Sequence, residues 1–363
     1  MELPEHLFWR EHFTATGPVI RDRVTVSNPE TARLLAERFV PEGSEGKVIV
    51  EAYPGPGALT RALLDLPKNR IRRLIIIENH EPYLAYLRPL AAADPRVQII
   101  EKSGWFWSSY ENLGDEQHLL GDVPRIPWDQ GVHPSLQFIS HLPLDIHGEQ
   151  LMSQILRSIP DQQWLFQYGR VPMNFILSDW VWQRMEALAA SHICKLTIIS
   201  RAVASSRLIV PHRVLTPYNA HFHPLATASA TLGVIPLPRP DNGDGNEMVQ
   251  MGPFEEGTML IGRRMLDKWD YVLRKLFVLK ASKLRKALPS LAPGAAVLIK
   301  RLDGPDVAPD ERVDTTKMIR ELTLRDWYYV MKVFDRWPFA PEDLLVTDGL
   351  SRDRHNRNSE RNS

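Results

Sequence analysis

The stretch "IVEAYPGPGALTRALL" (residues 49–64) decides how this chain is read. An apolar strand runs into Glu51, a tight turn carries Gly55 and Gly57, and a helix begins. Glycines at such a turn let backbone approach a ligand and set the helix N-terminus against it. The turn lacks the Gly-Lys-Ser/Thr ending of a P-loop, which argues against a nucleoside triphosphate. The third glycine of a dinucleotide fingerprint is also missing, and Tyr53 stands where such loops carry a glycine. What remains is Glu51 before the turn, the two glycines, and Glu78 at the end of the next strand. An acid at that second position accepts hydrogen bonds from both ribose hydroxyls. This suits S-adenosylmethionine, which has no phosphate. The alternative is an α/β domain with a glycine turn and no ligand.

Working outward, Asn28 and Pro29 open a predicted helix over 28–39 as N-cap and first helical residue. Strands are expected at 47–52, 73–79, 96–102 and 136–144, with helices at 81–92 and 148–159. Alternating strands and helices imply a parallel sheet covered on both faces. Further strand pattern lies at 194–203 and 226–237. The Pro-, Gly-, Asp- and Asn-rich stretch 238–253 reads as a domain boundary. The pattern beyond it is helical. A helix over 267–288 would put Leu273, Leu276, Phe277, Leu284 and Leu288 on one face, with Lys280 inside the stripe. Another helix is expected over 322–337, with Thr323 as N-cap. The expected organisation is an N-terminal extension (1–24), an α/β domain (25–240), a linker (241–253), a helical domain (254–346) and a disordered basic tail (347–363).

Lys+Arg and Asp+Glu both number 44, so net charge names no nucleic-acid partner and any basic surface must be local. The single cysteine, Cys194, excludes an internal disulfide framework and fits a reducing compartment. No apolar run approaches the ~18 residues that span a bilayer. The opening residues, with Glu2, Glu5 and Glu11, read neither as a secretory signal nor as an Arg/Ser-rich presequence. His221 and His223 stand two apart without an accompanying acid or cysteine cluster, so no metal site is expected.

The ordered motifs resemble the rRNA adenine dimethyltransferase superfamily from about residue 25 to 345. "VIVEAYPGPGALTRALL" is similar to its first motif, "LIIIEN" to its second, and "HLPL" (141–144) stands where the family has Asn-Leu-Pro-Tyr. "WFWSSYENL" (105–113), "QWLFQYGRVPMNFIL" (163–177), "KWDYVLRKLFVLK" (268–280) and "WPFAPEDLL" (337–345) resemble the mitochondrial transcription factor B branch. That branch includes the fungal specificity factor of the single-subunit mitochondrial RNA polymerase. The resemblance implies a class I, Rossmann-like methyltransferase fold with a small all-α C-terminal domain. It also implies Glu51, Tyr53, Gly55, Gly57, Glu78 and Ser103 around the cofactor position, and His141, Leu142, Pro143 and Leu144 as the degenerate catalytic motif.

A dimethylase flips its adenine out and holds the amino group with an asparagine amide. His141 offers no amide oxygen, Leu144 stacks poorly, and Ser103 replaces the acid that contacts adenine. "RVTVSNP" (23–29) stands in place of the family's Gly-Gln-x-Phe-Leu cofactor element. The expected function is therefore transcription initiation: assisting the mitochondrial polymerase in recognising and melting promoters. Methyl transfer is expected to be lost and S-adenosylmethionine binding to be at most a vestige. The rivals are an active rRNA dimethyltransferase and a non-catalytic RNA-binding ribosome assembly factor. The mitochondrial matrix is implied by resemblance alone.

Nucleic-acid contacts are expected from Trp105, Trp107 and Tyr110, which can stack on bases or pack against a partner protein. Arg274, Lys275, Lys283, Arg285 and Lys286 can track a phosphate backbone or form a solvated face. In the tail, Arg352 and Arg354 suit the template strand in melted DNA.

Overall fold

A computed structural model describes residues 2–13, 23–111, 113, 118–187, 189–210, 212–224, 246–253, 259–342 and 344. The chain divides into two compact units, 1–186 with 199–259 and 187–198 with 260–363.

In the first unit the apolar runs become the strands of one sheet: β2 (Lys47–Ala52), β3 (Ile71–Ile77), β4 (Val97–Ile100), β5 (Leu136–His141) and β6 (Met173–Ser178). Near-continuous Ile and Val suit strands buried on both faces, and Val48 to Val50 and Leu74 to Ile77 are fully buried. Among the described residues the sheet has seven strands in the order β4-β3-β2-β5-β6-β9-β7, with β7 at Ala204–Val210 and β9 at Asn246–Pro253. β2 to β6 are parallel, and β9 runs antiparallel to both neighbours. This is the order of the class I methyltransferase fold, as the motifs implied. Helices α1 (Pro29–Phe39), α2 (Ala58–Asp65), α3 (Glu81–Ala93) and α4 (Ile146–Ser158) follow their expected positions. The Asn28 side chain caps α1 by accepting from the Glu30 and Thr31 amides.

The described N-terminal residues join the core. Trp9, Phe13, Val24 and Val26 are buried in the core with α1, α2 and β3. A two-stranded sheet pairs β1 (Thr25–Val26) antiparallel with β8 (Phe222–His223).

Three expectations are corrected. Residues 246–253, expected as linker, are strand β9, whose Met251 pairs with Met173 and Ser206. Residues 195–203, expected as strand, are helix α5 (Lys195–Val203). Its Leu196, Ile198, Ile199, Ala202 and Val203 are all buried, and so short a run, interrupted by Thr197, Ser200 and Arg201, does not separate strand from buried helix by periodicity. The 267–288 helix is two helices, α6 (Leu266–Phe277) and α7 (Leu284–Ala287). Between them Val278 is 83% exposed. The Leu284 and Arg285 amides donate to Lys317 and Thr315 carbonyls, so the freed backbone is satisfied across the chain. Lys280, expected inside the apolar stripe, lies exposed beyond the end of α6. The expected strand 226–237 lies outside the described residues, as does the tail.

The second unit is helical among its described residues, adding α8 (Val297–Asp303) and α9 (Leu324–Asp335). Its core buries Trp269, Leu273, Leu276 and Trp327. Phe277 stacks on Trp327 at 5.4 Å, and Tyr271 on Phe334 at 5.9 Å. The Thr323 hydroxyl caps α9 by accepting from the Asp326 amide, completed by the Asp326 carboxylate on the Thr323 amide.

Candidate functional site

The carboxyl ends of β2 and β5 form the point where strand order reverses, the ligand position in such sheets. The turn after β2 sits there. Gly57 has φ of 92° and caps α2, and a Cβ on it would lie 2.6 Å from Leu87. Gly55 has φ of 63°, and a Cβ there would lie 2.1 Å from the Thr25 Cγ2. The close approach that Gly55 permits is therefore taken by Thr25 of the chain itself. Tyr53 has φ of 60°, a left-handed conformation that a glycine holds freely and that costs a bulky residue on the order of 1–3 kcal/mol.

Glu78, at the end of β3, is buried and fully engaged. Arg23 Nη1 donates to its Oε1 at 2.8 Å and Nη2 to its Oε2 at 2.5 Å. The Asn79 and His80 amides also donate to Oε1, each at 2.9 Å. The Arg23 guanidinium lies over the Tyr53 ring at 4.9 Å and the Tyr83 ring at 5.4 Å. Burial pushes the Tyr53 phenol up to about 12, and its hydroxyl bonds the Ser103 side chain.

Glu51 and His141 are buried within electrostatic reach of Glu78 and Arg23 respectively. Thr60 Oγ1 donates to Glu51 Oε2 at 2.8 Å, and Glu51 Oε1 has no partner. Burial, followed by the charge of Glu78, lifts the Glu51 carboxyl from 4.5 to about 7. Burial and then Arg23 lower the His141 imidazole from 6.5 to about 3, and its Nε2 has no partner. Leu142 is fully buried, and its amide donates to the Ile176 carbonyl at 2.9 Å. The Pro143 carbonyl packs so closely on Gly148 that a Cβ there would lie 2.0 Å away. Leu144 packs against the core. The 141–144 turn thus carries an imidazole and an isobutyl side chain where the resemblance implies a carboxamide and an aromatic ring.

The family model for ribosomal RNA adenine dimethylase matches residues 24–324. This chain belongs to the ribosomal RNA adenine dimethylase family. It is 23% identical over 305 residues to mitochondrial transcription factor 1 of Saccharomyces paradoxus, covering 82% of each chain. It is 25% identical over 207 residues to mitochondrial dimethyladenosine transferase 1 of Caenorhabditis elegans, covering 53% of this chain and 54% of that protein. The solved structure of the 23S rRNA methyltransferase ErmE aligns with 86% of this chain and 100% of its own, at 13% identity and a TM-score of 0.49.

In this dimethylase-family chain the residues at the cofactor position do not fit S-adenosylmethionine while Arg23 is in place. A ribose diol needs the two Glu78 oxygens, and the guanidinium holds both. Sequence reasoning missed Arg23 and Tyr83. The one available signal was that Arg23 opens the segment replacing the family's cofactor element.

The aromatic segment 105–110 divides. Trp105 is half-buried and meets His147 edge-on at 5.5 Å. Phe106, of the same aromatic run, is 60% exposed, and Ile146 is 54% exposed. Trp107 is half-buried and held at 5.3 Å by Trp164. Tyr110, expected to contact nucleic acid, is instead a core residue. It is 4% exposed, donates to the Gly104 carbonyl at 2.8 Å, and packs on Phe138 and Trp164. Packing against Phe138 and Trp164 places Tyr110 in the core.

In the second unit, Arg274 pairs with Asp270 at 2.6 Å, and Lys275 lies over the Tyr271 ring at 5.8 Å. Lys283, Arg285 and Lys286 are exposed around α7, with Arg285 also 3.7 Å from Asp303. Arg352 and Arg354 lie outside the described residues. Among the described residues no group of three His, Cys, Asp or Glu could hold a metal. His221 bonds the Thr31 hydroxyl of α1 at 2.7 Å, and His223 bonds the Phe13 carbonyl at 2.9 Å and so holds the N-terminal segment. No helix among the described residues is long and apolar enough to cross a membrane.

Proposed function

We propose that this chain is a mitochondrial transcription initiation factor, built on a methyltransferase fold, that helps a single-subunit RNA polymerase open promoter DNA. The observation that carries the reading is the engagement of both Glu78 oxygens by Arg23, beside a 141–144 turn without a carboxamide. A methylase needs the first group for its cofactor and the second for its base. The relatives named mitochondrial transcription factor 1, which match over 82% of the chain, support the same reading and a mitochondrial location.

Trp105 and Phe106 offer faces to unstacked bases, and Lys283, Arg285 and Lys286 offer charge to phosphates. The tail arginines Arg352 and Arg354 add charge for the melted template strand. Contacts made only with melted DNA pull the duplex toward the open state. The test is 2-aminopurine fluorescence at the start site of a mitochondrial promoter, with polymerase alone and with this protein added. A rise that needs both proteins supports the reading, and an unchanged signal refutes it.

The second reading, methylation of a small-subunit rRNA hairpin, draws on the family match and the C. elegans relative. Transfer of labelled methyl groups to a hairpin RNA would establish it.

A further inference from the structure

We infer that Arg23–Val26 is an internal plug, in which the Arg23 guanidinium takes the place of a ribose diol on Glu78 and Thr25 takes the place of the ligand against Gly55. A ribose presents two neighbouring hydroxyl donors to a carboxylate. A guanidinium presents two parallel N–H donors to the same two oxygens. Arg23 does this with both nitrogens, at 2.8 and 2.5 Å, and is 5% exposed. The Tyr53 and Tyr83 rings lie at 4.9 and 5.4 Å from it, so the cation is also held by two aromatic faces.

The segment is fixed as well as inserted. Thr25 and Val26 pair with His223 and Phe222, and the Ser27 and Asn28 amides donate to the His221 carbonyl. Thr25 sits where a Cβ on Gly55 would be 2.1 Å away. A nucleoside therefore has to displace a buried ion pair and a paired strand together. Its receptor survives underneath. Glu78 stays oriented by the Asn79 and His80 amides, and the Gly55–Gly57 turn keeps its left-handed backbone. The ligand class excluded is a phosphate-free adenine ribonucleoside with a free diol. This holds whether or not the chain acts in transcription, so failure of the melting assay and failure of the plug are separate results.

The test is calorimetric binding of S-adenosylhomocysteine to the full chain and to R23A, each checked for folding by circular dichroism. The expected result is no binding by the native chain at millimolar ligand and a gain of roughly 100-fold in R23A. Adenosine should share the gain, and 2′-deoxyadenosine, with half the diol, should lose most of it. Equal, measurable affinity of the native chain and R23A overturns the inference, as does a folded R23A/T25G, with both parts of the plug removed, that binds nothing. R23Q, which still donates to Glu78, serves if R23A fails to fold, with a smaller gain expected. Hydrogen exchange on the native chain gives a readout free of mutation. The inference expects exchange in 23–26, 51–57 and 76–80 to be unchanged by millimolar S-adenosylhomocysteine, and slowing there overturns it.

Discussion

Replacing Glu51 by glutamine should stabilise the protein at alkaline pH and do little in acid. Glu51 is 1% exposed on β2, with the Thr60 hydroxyl donating to it and Glu78 adding like charge. Its carboxyl titrates at about 7 in the folded protein against an ordinary 4.5. Between those values the folded protein holds a proton that the unfolded chain releases, so stability falls as pH rises through that window and levels off above it. At about 1.4 kcal/mol per pH unit, the ionised carboxyl costs ~3 kcal/mol above pH ~7. The carboxamide in E51Q stays neutral and keeps an acceptor for Thr60, so the variant should recover most of that cost.

His141 works in the opposite sense. Its imidazole titrates at about 3 instead of 6.5, so stability rises with pH across that range as the unfolded chain loses its proton. In the native chain the two slopes oppose each other between about pH 4.5 and 6.5. In E51Q the His141 slope stands alone. Urea midpoints followed by tryptophan fluorescence at about pH 5, 6.5 and 8 measure this. A gap between E51Q and native protein that is constant across pH would refute the burial argument.

Arg23→Met leaves the Glu78 charge buried with two backbone donors, which should cost about 3–5 kcal/mol and lower the melting temperature by roughly 10 °C. Adding Glu78→Leu should recover part of that loss, because the uncompensated charge goes with it; calorimetric melting of the single and double variants checks both. Phe106→Ala, at a solvated ring, should change stability by less than about 0.5 kcal/mol while reducing promoter opening in the 2-aminopurine assay. Tyr110→Phe should do the reverse, losing about 1 kcal/mol with its bond to Gly104 and leaving promoter opening unchanged.

The parallel core was legible because β2, β3 and β5 are apolar runs bounded by turn residues, and because the glycine turn follows β2 directly. α1 and α9 were legible from Asn28 and Thr323, whose side chains make the expected caps. Strand β9 was hidden because its pairing with β6 and β7 is wholly non-local, while the residues before it look like a linker. The break after Phe277 was hidden because Leu273, Leu276, Leu284 and Leu288 are all buried on either side of it, as one helix would also have them. At the site, Glu51, Gly55, Gly57 and Glu78 were readable from local spacing. Arg23 was not, since its partner lies 55 residues away and an arginine before a short strand ordinarily reads as surface. Tyr110 was misjudged because burial within an aromatic cluster depends on Phe138 and Trp164, which sequence spacing does not place beside it.

The most direct test of a promoter-opening role is run-off transcription by the cognate mitochondrial polymerase, with and without this protein, on a linear duplex promoter and on the same promoter pre-melted at its start site. Strong dependence on the protein is expected with duplex and little with the pre-melted template. Equal transcription with and without the protein on both templates, from active polymerase, would contradict it.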